Sequence, residues 1–120
     1  MGDSMIHEKT DLAKEQELSF AVMNLIAIEE HLAMTISKTK KKEYCDIYNE
    51  IRKLRSKYMK EIVKNKQGEM WCVSKHLLST AMRFIETGVK HIADDKPKAM
   101  ELFNDAAETY QLFWFLQSMG

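Results

Sequence analysis

The stretch LSFAVMNLIAIEEHLAMTI, residues 18–36, decides how this chain folds. Leu18, Val22, Leu25, Glu29, Leu32 and Ile36 follow one another at steps of 4, 3, 4, 3 and 4, the repeat by which a helix keeps one seam against its neighbours. At about 100° per residue, Glu17, Asn24, His31, Thr35 and Lys38 fall on one narrow polar strip. Apart from that strip and Glu29 and Glu30, everything between Phe20 and Ile36 is apolar.

The adjacent trio Glu29, Glu30 and His31 looks like a compact site, but neighbours on a helix fan out instead of converging. His31 belongs to the polar strip, Glu30 to a flank beside Met23 and Met34, and Glu29 to the seam among leucines and isoleucines. The three cannot bind one ion. An ionised carboxylate buried without a partner costs several kcal/mol, so Glu29 needs a counter-charge. The next helix supplies it. Tyr44, Ile47, Tyr48, Ile51, Leu54, Tyr58 and Ile62 form an apolar face, and Arg55 falls inside that arc. The expectation is a Glu29–Arg55 pair between the first two helices, with the hydroxyls of Tyr48 and Tyr58 completing its hydrogen bonds.

Composition agrees with a helical protein. One proline and four glycines beside a 45% apolar fraction suit a few long helices better than many strands. The 120 residues suit a single domain, residues 1–120, with residues 1–9 a flexible or frayed start. Breaks fall at SKTKK, NKQG and ADDKP. Gly68 can adopt a left-handed conformation, Glu69 and Asp94-Asp95 place negative charge where helices begin, and Pro97 fits a first turn. The first break holds neither glycine nor proline and rests on charge repulsion and a phase shift. Helices are expected at about 10–37, 42–64, 69–92 and 96–118. Short connections then give an all-α, up-down-up-down antiparallel four-helix bundle.

Two later features bear on assembly. In the third helix, Ser74 and Gly88 sit on the apolar side and allow a close helix approach. In the fourth, Phe103, Ala106, Ala107, Tyr110, Phe113 and Trp114 read as core, yet Leu112, Phe115 and Met119 project on the side that carries Glu101 and Glu108. That surplus apolar surface implies a homodimer with Leu112, Phe115 and Met119 as its interface.

The chemical candidates are few. A di-metal carboxylate bundle needs paired Glu-x-x-His motifs, and the sequence has none. Cys72 and His76 stand one turn apart with Glu69 alongside, so the three are the candidate metal ligands, although a solvated face with an incidental cysteine explains them more simply. Cys72 with His76 as base lacks an orienting acid or an oxyanion loop. Neither a catalytic residue nor a cofactor is expected. The nine methionines and two tryptophans read first as packing residues.

Charge is distributed unevenly. Lysine plus arginine and aspartate plus glutamate each number 18, so the net charge is zero. Residues 38–66 nevertheless hold eleven basic side chains against four acidic, net +7, leaving −7 for the rest. Lys41, Lys42, Arg52, Lys53, Lys57 and Lys60 form a candidate nucleic-acid ridge that could equally meet the acidic fourth helix of a second subunit.

Cys45 and Cys72 are too few for a disulfide scaffold, and MGDSMIHEKTD is polar and acidic where a secretory signal would be basic and then apolar. No uninterrupted apolar run reaches the roughly 18 residues that cross a bilayer. The expectation is a cytoplasmic interaction or regulatory module without enzymatic activity or membrane contact.

Overall fold

A computed structural model describes the backbone of residues 2–64, 66 and 68–119, and the side chains of residues 12–64, 66 and 68–119. Four helices follow in order: α1 (Gly2–Thr39), α2 (Glu43–Ile62), α3 (Gly68–His91) and α4 (Lys96–Ser118). The described residues contain no strand. The chain divides into two compact units, Met1–Ile62 and Val63–Gly120, each a pair of helices packed side by side. In the first unit α1 packs on α2, and in the second α3 packs on α4.

The break that holds neither glycine nor proline has a definite cause. Lys40 takes a left-handed backbone conformation with φ of 60°, and its N–H donates to the Ile36 carbonyl at 2.8 Å. This is the closure usually made by glycine or asparagine. Thr39 secures it on both sides, its hydroxyl donating to the Thr35 carbonyl at 2.8 Å and accepting from the Lys41 N–H at 3.3 Å. The helix therefore ends without a helix-breaking residue.

The other ends follow more familiar chemistry. Asp95 caps α4, its carboxylate accepting from the Lys98 N–H at 3.1 Å, with Pro97 in the first turn. Gly68 has φ of 63° and opens α3, so its conformational freedom serves the start of a helix and not the end of α2. α1 starts earlier than its apolar repeat suggests, at Gly2.

The buried line on α1 runs through Ser19, Val22, Met23, Ile26 and Glu29, rotated from the leucine seam, so that Leu18, Leu25 and Leu32 are only partly covered. Ser19 can be fully buried because its hydroxyl donates to the Gln16 carbonyl at 2.6 Å. On α2 the buried residues are Arg55, Met59 and Ile62, while Ile47 and Leu54 stay exposed.

By length and composition Leu12–Thr39 could cross a bilayer, a test that core helices and N-terminal signal segments also pass. Only 28% of its most apolar window is buried.

In the second unit the buried residues are Val63 ahead of α3, Ser74, Leu78, Ala81 and Gly88 on α3, and Ala99, Leu102, Ala106, Phe113 and Gln117 on α4. Small side chains set the approach of these helices. A Cβ added at Gly88 would lie 2.7 Å from Phe103 Cε1, closer than carbon atoms tolerate. Phe113 and Trp114 meet edge to face at 4.9 Å, as do Tyr110 and Trp114 at 6.2 Å.

Candidate functional site

The Glu29–Arg55 pair forms as a two-pronged contact inside the first unit. Arg55 Nε donates to Glu29 Oε2 at 2.9 Å and Nη2 to Glu29 Oε1 at 3.0 Å. Both side chains are nearly excluded from solvent, at 6% and 7% exposure, so each charge depends on the other. The hydroxyls of Tyr48 and Tyr58 were expected to complete the pair's hydrogen bonding; the arginine Nη1 instead donates to the Met59 sulfur at 3.9 Å. Of the other two residues of the trio, Glu30 is half-buried and His31 is exposed. Its geometry, two charges spent on each other across α1 and α2, is that of a structural key.

The second unit holds a polar network of its own, built on Gln117. Its amide nitrogen donates to Ser74 Oγ at 3.0 Å and to the Phe113 carbonyl at 3.0 Å, and its amide oxygen accepts from the Lys64 N–H at 3.0 Å. One side chain thus ties α4 to α3 and to the segment preceding α3. Gln117 went unnoticed in the sequence because its neighbours are apolar on all sides. Its spacing offered the signal, since Ala99, Leu102, Ala106, Phe113 and Gln117 share one helix face.

Glu69, Cys72 and His76 are each exposed along α3. Among the described residues no three of His, Cys, Asp and Glu stand together so as to hold a metal ion. Cys45 and Cys72 are both free thiols. Cys45 lines an open hollow of about 360 Å³ with Ala33, Ile36, Tyr48 and Asn49, and no charged side chain converges there.

The basic residues are displayed as a ridge needs. Lys41, Lys42, Arg52, Lys53, Lys57 and Lys60 are all exposed. Lys57 Nζ lies 5.2 Å from the Tyr58 ring centre, and Lys53 pairs loosely with Glu50 at 3.3 Å. Such exposed pairs contribute little and exchange readily.

The fourth helix displays apolar side chains at its end. Leu112, Phe115 and Met119 are 49%, 63% and 69% exposed. Glu101, Asp105 and Glu108 precede them on the same face, and an open hollow of about 480 Å³ lies among Pro97, Met100, Glu101, Asn104 and Asp105.

Comparison with known proteins finds no matching family model, no matching curated protein and no matching solved structure.

Proposed function

We propose that this chain is a non-enzymatic interaction or regulatory module, an up-down-up-down antiparallel bundle that works as a cytoplasmic homodimer. The observation that carries this reading is the exposure of Leu112, Phe115 and Met119 along one side of α4, away from the face that buries Phe113 and Gln117. Three large apolar side chains grouped on one face of a helix are the mark of a surface that another chain covers. The two polar constellations with buried members, Glu29–Arg55 and Gln117–Ser74–Lys64, spend their groups on each other and offer no reactive group to a substrate.

Sedimentation equilibrium at low micromolar concentration tests the proposal. The chain should sediment at twice its 14.0 kDa mass, and Phe115→Ser should shift it to the monomer. A wild-type chain that is monomeric throughout would overturn it.

A second reading rests on the exposure of Lys41, Lys42, Arg52, Lys53, Lys57 and Lys60, which suits the phosphate backbone of RNA. It predicts binding that weakens steeply with salt and disappears when Lys53, Lys57 and Lys60 are neutralised. It needs no base-specific contact.

A further inference from the structure

We infer that α1 pairs antiparallel with α1 of a second copy of this chain, along a seam from Leu18 to Thr35. This contact lies in the first unit, goes beyond the α4 contact proposed above, and stands or falls without it.

The seam is only half used within the chain. Leu18, Ala21, Leu25, Ile28, Leu32 and Thr35 advance by 3, 4, 3, 4 and 3, the spacing of a helix that packs along another helix. The buried line of α1 is rotated away from this row. Leu18, Leu25, Leu32 and Thr35 are half-buried, Ala21 is exposed, and Ile28 is 41% exposed.

The polar strip beside the seam says what covers it. Glu17, Asn24, His31 and Lys38 recur at intervals of seven, so they line one flank of the seam from end to end. All four are exposed, and no ion pair among the described residues engages Glu17 or Lys38. The strip runs from acid to base, so it is complementary to its own reverse. When two such helices pack antiparallel, this flank faces the same flank of the partner. With Leu25 set against Ile28, Ala21 against Leu32 and Leu18 against Thr35, Glu17 meets Lys38 and Asn24 meets His31. A two-fold axis across the helices makes each of these pairs twice.

Other occupants fit less well. A parallel α1 would lay the strip along Val22, Glu29 and Ile36 of its partner, and Val22 and Glu29 are already buried within the chain. Leu12–Thr39 is apolar enough to seek a bilayer, but lipid holds no opposite charges in register with both Glu17 and Lys38. Leu18, Leu25 and Leu32 spend part of their surface inside the chain, so the contact is smaller than the about 800 Å² per partner of a standard interface. The pairing is therefore weak and is read at high concentration.

The test first removes the α4 contact. In a Phe115→Ser background, sedimentation equilibrium at about 0.5 mM reads associations too weak to populate at low micromolar concentration. Ile28→Lys puts an ammonium in the middle of the seam, and circular dichroism verifies that helicity is kept. Glu17→Lys and Lys38→Glu each set like charges together at both ends of an antiparallel pair. The two changes in one chain restore opposite charges. Both positions are exposed, so these variants decide the matter should Ile28→Lys lose helicity.

The Phe115→Ser chain should approach the dimer mass at that concentration. Ile28→Lys should weaken association by roughly tenfold or more and each charge variant by about threefold, while the double exchange should associate as the parent does. Association untouched by Ile28→Lys would overturn the inference. Charge variants that weaken it without recovery in the double exchange would overturn the antiparallel register. A Phe115→Ser chain still monomeric at about 0.5 mM would overturn the α1 pairing and leave the α4 dimer standing. One that stays dimeric at low micromolar concentration and becomes monomeric with Ile28→Lys would support the pairing and overturn the α4 reading. Binding to vesicles of phosphatidylcholine and phosphatidylglycerol that Ile28→Lys abolishes, without self-association, would assign the seam to lipid and overturn the pairing.

Discussion

Glu29 and Arg55 show what one residue can impose on a helix pair. Two parallel hydrogen bonds hold two charges that solvent scarcely reaches, so removing one partner strands the other. Glu29→Gln and Arg55→Met should each lower stability by about 3 kcal/mol in urea titration, and the double variant should lose less than the sum. Strict additivity would mean that the two groups do not act together. Gly88 supplies a second test at this scale. Alanine is normally favoured over glycine inside a helix by about 1 kcal/mol, but here its Cβ meets the Phe103 ring at 2.7 Å. Gly88→Ala should therefore destabilise by about 1 kcal/mol, and in a Phe103→Leu background the same change should stabilise. Thermal denaturation of the four proteins measures both signs.

The helix ends separate what was legible from what was not. The Asp95 cap and Pro97 at the start of α4 carry their own chemistry in the sequence, and the structure places that helix as expected. Lys40 carries none: a lysine in left-handed backbone is recognisable only once the Ile36 carbonyl and the Thr39 hydroxyl are seen around it. Lys40→Gly should remove the strain of a side chain at positive φ and raise stability by about 0.5–1 kcal/mol, read from the midpoint of urea unfolding. Core faces were legible to within part of a turn. Arg55 was placed correctly because a lone cation inside an apolar arc demands a partner. Met59 and Gln117 were missed because a long flexible side chain and a neutral amide give the period no comparable signal. Gln117→Leu should cost about 2 kcal/mol and speed hydrogen exchange at the Lys64 amide, which loses the bond to the Gln117 oxygen.

At the scale of the molecule, the units Met1–Ile62 and Val63–Gly120 each have one polar device specifying their helix pair: an ion pair in the first and a glutamine in the second. Hydrophobic periodicity brings the helices together, and these groups add directional contacts that only one arrangement of each pair satisfies. What faces outward is less symmetrical, with lysines on α2 and a half-acidic, half-apolar seam on α4. If Leu112, Phe115 and Met119 form the proposed dimer contact, raising salt from about 50 to 500 mM should leave association unchanged or tighten it, measured by sedimentation equilibrium.

The reach of Gln117 also gives the two units different histories during synthesis. Glu29 and Arg55 are 26 residues apart, so their contact can close soon after α2 leaves the ribosome. Gln117 accepts its bond from an amide 53 residues earlier, which at about 5–20 residues per second must wait several seconds for the end of α4. During that interval the segment ahead of α3 has an unclosed anchor, and a nascent chain arrested before residue 117 should be cut by protease there while the α1–α2 pair already resists.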